Sequence, residues 1–160
     1  MRSGRQFILT DGAWGTQLQV RGLAPGDFPD LWNLTRPEPV HEVAAAYVAA
    51  GARVILTNTF GANRIRLAEA GAEQDVAAIN REGVRLSKEA AAGRARVFAS
   101  IGPSGKLLLN DEITPEALQA AFAEQATALA EAGADALVIE TFSDLTEARI
   151  AIAAAKATGL

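Results

Sequence analysis

Apolar residues along this chain come in two alternating textures. Four short, dense runs, FILT (7–10), RVILT (53–57), RVFAS (96–100) and ALVIE (136–140), are β-branched or bulky, lack strict in–out alternation and are bounded by glycine, proline or polar residues. Such runs fit strands buried on both faces, as in a parallel sheet. Between them lie alanine-rich stretches with helical spacing, PEPVHEVAAAYVAAG (37–51), EQDVAAINREGVRLSKEAAAG (73–93) and TPEALQAAFAEQATALAEAGA (114–134). In the last of these, Thr114 reads as an N-cap, Pro115 as the first helical position and Gly133 as the stop. The tripeptide AGA at 50–52 and 132–134 ends a helix and leads straight into a strand.

The strand starts at 7, 53, 96 and 136 mark a βαβ unit repeated along the chain. Strict alternation of β and α predicts an α/β fold with right-handed crossovers, either a doubly wound sheet or a (β/α)8 barrel. Polar residues gather after the strands, at Asp11 and Gly12, 58–63, 102–110 and 140–144, whereas the links leading into the strands are terse. That asymmetry places chemistry at the C-terminal edge of a parallel sheet. No low-complexity linker or composition break divides the chain, so residues 1–160 read as one structural unit. Four βα units are half of a barrel, and Gly159 reads as the C-cap of the fourth helix, so the chain is expected to stop between modules.

Composition narrows the function classes. The chain has 160 residues, of which 49% are hydrophobic and 21% charged, with a net charge of -4. This is a globular profile with no global basic field for nucleic acid or an anionic membrane. No apolar run approaches the roughly 20 residues needed to cross a bilayer, and the N-terminal apolar stretch is too short for a signal peptide. A cytoplasmic protein is expected, with no nucleic-acid or membrane partner. Cysteine is absent and His41 is the single histidine. Disulfides, thiolate zinc, Fe–S clusters and a cysteine nucleophile are therefore excluded within these residues.

Each candidate residue has a bland reading beside a functional one. Asp11, ahead of GAWGTQL, reads either as the cap of a short helix or as a functional acid. Glu140 ends an apolar run, so it starts partly buried and needs a cationic or donor partner, which a structural arginine would satisfy. Two such acids on one face would jointly hold an ammonium group, as an amino-acid ligand requires. In TNTFGANR (57–64), Asn58 and Thr59 offer hydrogen bonds and Phe60 a wall, or Asn58 or Asn63 simply caps the next helix. The arginines of NRIRL read as a solvated helix face. SIGPSGKLL (100–108) has turn signals, but its glycine spacing and Leu107 do not match a phosphate loop; its backbone N–H groups still suit a carboxylate. Trp14 and Trp32 suit either a pocket mouth or core packing.

Five blocks carry a resemblance over almost the whole chain: LTDGAWGTQLQ (9–19), LWNLTRPEPV (31–40), ARVILTNTFGANRIRL (52–67), SIGPSGKLL (100–108) and GADALVIETFSDLTEAR (133–149). In this order they resemble the homocysteine-binding domain of homocysteine S-methyltransferases, most closely the N-terminal module of cobalamin-dependent methionine synthases. The resemblance implies the N-terminal half of a homocysteine-binding (β/α)8 TIM barrel over 1–160, comprising its first four βα units. It implies homocysteine as the ligand, its amino group held by Asp11 and Glu140, with Gly12, Asn58, Thr59, Phe60 and Ser100 shaping the pocket. Family members hold zinc with three cysteines, which makes the homocysteine sulfur a thiolate that accepts a methyl group. The donor implied is methylcobalamin, recharged from methyltetrahydrofolate; relatives use betaine or S-methylmethionine.

The zinc cysteines have no counterpart here, so no bound cofactor is expected in this chain. The expectation is a methyltransferase by family, inactive alone, that methylates homocysteine to methionine only in the complete zinc-containing protein. A different reading is a half-barrel that self-associates or pairs with a complementary half, since its edge strands and one apolar face lack partners. A third is a small amino-acid-binding module without catalysis.

Overall fold

The computed structural model describes residues 7–106, 108–110 and 112–160; Leu107 lies outside the described residues. In chain order the helices are α1 (Trp14–Val20), α2 (Trp32–Thr35), α3 (Pro37–Ala49), α4 (Arg64–Ala68), α5 (Val76–Ala91), α6 (Pro115–Glu131) and α7 (Leu145–Lys156). The strands are β1 (Val54–Ile55), β2 (Arg96–Ile101) and β3 (Ala136–Ile139). They form a parallel sheet in the order β1-β2-β3, with Val54 beside Arg96 and Phe98 beside Ala136. The long helices follow their sequence signals. The Thr114 hydroxyl accepts the Ala117 N–H at 3.2 Å, Pro115 opens α6, and Gly133 leaves it at φ 87°.

The first expected strand is reduced to one parallel bridge, Thr10 to Val54, flanked by Arg53 N–H to Leu9 O at 2.8 Å and Asp11 N–H to Val54 O at 3.0 Å. β1 is shorter than RVILT suggested, for a chemical reason. The Leu56 N–H, next in line for a strand carbonyl, donates instead to the Asp11 carboxylate at 2.7 Å. Beyond it, the Ser100 N–H donates to the Thr57 hydroxyl at 3.1 Å, and the Thr59 hydroxyl donates to Ser100 O at 2.8 Å. With its one proton committed there, Thr59 accepts from Thr57 across 2.5 Å. Side chains thus continue the ladder where the backbone leaves it, satisfying groups that would otherwise be buried unpaired.

The helices lie against one face of the sheet. Ala99 and Ile101, both fully buried, pack with Leu118, Phe122, Ala126 and Leu129 of α6 and with Ala151 and Ala154 of α7, while Val97, also fully buried, belongs with Ile55 to the cluster against α3 and α5. Ile55 packs with Ala44 and Val48 of α3 and Ala90 of α5. Because side chains alternate along a strand, Val54, Phe98, Ser100 and Val138 face the other way. That second face is a concavity of about 1240 Å³ lined by Ile8, Val54, Leu56, Phe98 and Val138. The expectation of strands buried on both faces therefore fails at the first and last runs. Phe7, Ile8 and Leu9 are 92%, 68% and 58% exposed, and all four β3 residues are only half-buried. The cause is one-sided packing, because among the described residues no helix covers the concave face.

Candidate functional site

The C-terminal strand ends bring polar groups to one edge of the sheet. Glu140 immediately follows β3, and its N–H extends the ladder to Ile101 O at 3.1 Å. It stands two residues beyond Val138, which pairs with Ser100, so Glu140 and Ser100 share the concave face as diagonal neighbours. The Ser100 hydroxyl donates to Glu140 Oε1 at 2.5 Å, a charge-assisted length. The next residue, Thr141, has φ 65°, a left-handed conformation that costs a β-branched side chain on the order of 1–3 kcal/mol. That turn sends Phe142 back into the core against Phe122, with ring centroids 5.8 Å apart, and leaves Glu140 at the open edge.

Asp11 does not cap α1, whose N-cap is Ala13 with no side-chain bond. Its Oδ2 instead accepts two donors at 2.7 Å, the Leu56 N–H and the Trp14 indole N–H. Burial raises its pKa above the ordinary carboxylate value, the two donors pull it back, and the nearby Glu140 charge pushes it up further. Asp11 and Glu140 therefore feel each other as like charges, which a shared cation would relieve.

A cavity of about 500 Å³ opens beside them. Its lining includes Gly12, Trp14, Asn58, Phe60, Ser100 and Glu140. Asp11 lies on the adjoining concavity, and Gly12 and Leu56 border both spaces. Thr59 is fully buried behind the wall. The Asn58 amide is committed to the framework, donating to Pro29 O at 2.8 Å and to Asn33 Oδ1 at 2.9 Å. Phe60 is 42% exposed, its ring lying where a Cβ on Gly102 would come within 2.5 Å. Trp14 thus takes the pocket-mouth role and Trp32 the core role.

Other sequence readings resolve as clearly. Asn63, not Asn58, caps α4, accepting the Arg66 N–H at 3.0 Å. The glycine-rich turn does bind a carboxylate, but an internal one: the Ser104 N–H donates to buried Glu147 at 2.7 Å. Arg64 is solvated and paired with Glu124, whereas Arg66 lines the cavity, so NRIRL is not a uniformly solvated face. Its helix is a single short turn, which sets one arginine outward and the next against the loops.

Asp30 is the residue that sequence reasoning missed. It is only 4% exposed, lines the cavity, and accepts the Gly61 N–H at 3.0 Å. Burial pushes its pKa up to about 6, with the Gly61 bond and Arg66 acting the other way. Its signal was an acid set among Phe28, Pro29, Leu31 and Trp32, the same misfit pattern that singled out Glu140.

A family model described as homocysteine S-methyltransferase matches residues 8–159. The chain belongs to the homocysteine S-methyltransferase family. Methionine synthases of Mycobacterium tuberculosis and Mycobacterium leprae are 30% and 29% identical to it over 92% of the chain. The chain spans only 13% of the length of each. The metallated form of the homocysteine methyltransferase MmuM from Escherichia coli superposes with a TM-score of 0.80 at 28% identity, over 97% of this chain and 61% of that one. The apo form of MmuM superposes at 0.70. The residues of this chain do not make up a cysteine-based metal site. The chain has no cysteine, and no three His, Asp or Glu side chains gather into a metal-binding group among the described residues.

The raised pKa of Asp30 has a defined consequence for stability. Between the unfolded value of 3.8 and the folded value of about 6, the folded chain holds a proton that the unfolded chain has released. Stability from this group is therefore fullest below the unfolded pKa, declines as pH rises through that window and is flat above it. The decline is at most about 3 kcal/mol. Asp11 contributes with the same sign, so the comparison with Asp30→Asn isolates Asp30. Urea midpoints from pH 4 to 7 are expected to slope less in Asp30→Asn than in wild type; equal slopes would show Asp30 to be unperturbed.

Proposed function

We propose that this chain carries the amino-acid-recognition half of a homocysteine S-methyltransferase site, built on the first four βα units of a (β/α)8 barrel. The observation that carries the reading is the Ser100–Glu140 bond at the sheet edge, with Asp11 close enough to feel the Glu140 charge. Two carboxylates without a basic partner are suited to a ligand ammonium, which favours the ionised form of both. Neither Asp11 nor Glu140 has an ion-pair partner among the described residues, so the place of the structural arginine is open to a ligand. Gly12, Phe60 and Ser100 border the amino acid, while Asn58 and Thr59 hold that wall from behind.

The chain's own residues bind and orient the amino acid. Thiol activation and methyl delivery belong to zinc and methylcobalamin in the complete protein, outside anything these residues hold. The chain alone is therefore expected to bind homocysteine without methylating it. Calorimetry with L-homocysteine should show binding that Glu140→Gln and Asp11→Asn each weaken roughly 10- to 100-fold, since each removes one charge facing a partly desolvated cation. Asn at position 11 still accepts from Leu56 and Trp14, so the fold should survive. Wild-type affinity in both variants would refute the ammonium site.

A second reading concerns the concave face. With Phe7, Ile8 and Leu9 exposed beside Val54, Phe98 and Val138, the apolar surface suits packing against a complementary half-barrel or a second copy of the chain. The greater length of the MmuM structure over the same fold supports the first partner. Light scattering of the isolated chain at roughly 50 micromolar should show association. A stable monomer at that concentration would count against it.

A further inference from the structure

The cavity wall rests on a brace that neither the sequence reading nor the family chemistry assigns. Asp30 sits in a 3-10 turn, Pro29–Leu31, of the long connection before α2. Its segment is fastened to the loop after β1 at three points. Asn58 donates to Pro29 O at 2.8 Å and to Asn33 Oδ1 at 2.9 Å, while Asn33 donates back to Asn58 O at 2.8 Å. The third point is Asp30 Oδ1, which accepts the Gly61 N–H at 3.0 Å. The fit is close, because a Cβ on Gly61 would stand 3.0 Å from Asp30 Oδ2.

Gly61 follows Phe60, so this bond fixes the peptide that carries the aromatic wall. The turn itself closes with Ala62 N–H to Thr59 O at 3.1 Å, which leaves the Gly61 N–H directed outward at Asp30. On the other side, Phe60 O accepts the Gly102 N–H at 2.9 Å, and the ring occupies the space that a side chain at Gly102 would need. Phe60 is 42% exposed, so position, and not enclosure, keeps it over the cavity.

We infer that Asp30 is a positioning residue for this site: by holding the Gly61 N–H, its carboxylate sets Phe60 over the space that the amino acid enters. The inference rests on the reading of the cavity as the homocysteine site. A buried acid is a costly way to satisfy one N–H, and the cost is balanced here by what the bond positions.

Two readouts separate the brace from the ligand. In protein labelled with 4-fluorophenylalanine, the Phe60 signal is identified by its loss in Phe60→Leu. Asp30→Ala should shift or broaden that signal, whereas Asp30→Asn, which keeps an acceptor for Gly61, should restore it. In calorimetry, Asp30→Ala should weaken L-homocysteine binding about tenfold at unchanged stoichiometry, with most of the affinity recovered in Asp30→Asn. A merely structural role would lower the stoichiometry and leave the Kd of the folded fraction alone. An unmoved Phe60 signal in Asp30→Ala overturns the inference, as does a Kd that stays at the wild-type value while the signal moves. If wild type binds no homocysteine, the amino-acid reading fails while the fluorine comparison still decides the brace. If Asp30→Ala does not fold, Gly61→Ala drives a methyl against Asp30 and must displace the Phe60 signal; an undisturbed signal there also overturns the inference.

Discussion

The bond from the Leu56 N–H to the Asp11 carboxylate is the point on which the rest of the site depends. A parallel ladder needs a carbonyl at this place, and the chain supplies a charged side chain instead. One consequence is structural: the segment around Thr10 is tied to the sheet although, among the described residues, it contributes a single bridge. The other is chemical. An acid held by two N–H donors on one oxygen is half-buried and close to a second acid. The hydroxyls of Thr57 and Thr59 repeat the device on the backbone of Ser100, and so fix the residue that donates to Glu140. Framework and site are the same hydrogen bonds.

One-sided packing then decides which groups face the open side of the sheet. With α6 and α7 covering one face, alternation alone sends Ser100 and Glu140 to the other. Thr141 completes the geometry by leaving the strand in a left-handed conformation, so that Phe142 returns to the core and Glu140 does not. A strand-end glutamate that looks out of place in an apolar run is the expected outcome of this arrangement, because the strand finishes where burial does.

Much of this was legible in the sequence, for reasons that particular residues make plain. Thr114, Pro115 and Gly133 bracket α6 with purely local chemistry, and local chemistry is what a sequence states directly. Asp11 and Glu140 stood out because acids ending apolar runs need partners. The failures are non-local. FILT has strand composition, but its burial depends on a second face that composition cannot describe. Asp30 shows the same misfit as Glu140, yet its partner is a backbone N–H thirty-one positions along the chain, and no spacing rule links them. Arg66 and Arg64 look alike in NRIRL and differ only because a one-turn helix sets them against different neighbours.

In the function proposed above, Asp11 and Glu140 form one cation site for an amino acid's ammonium. Carbon-13 NMR of the Asp11 carboxyl, titrated with and without saturating L-homocysteine, tests this most directly. The midpoint should lie above the ordinary carboxylate value in the free chain and move down when homocysteine binds, because the ammonium offsets both the burial and the Glu140 repulsion. A midpoint that stays where it was on saturation would contradict it.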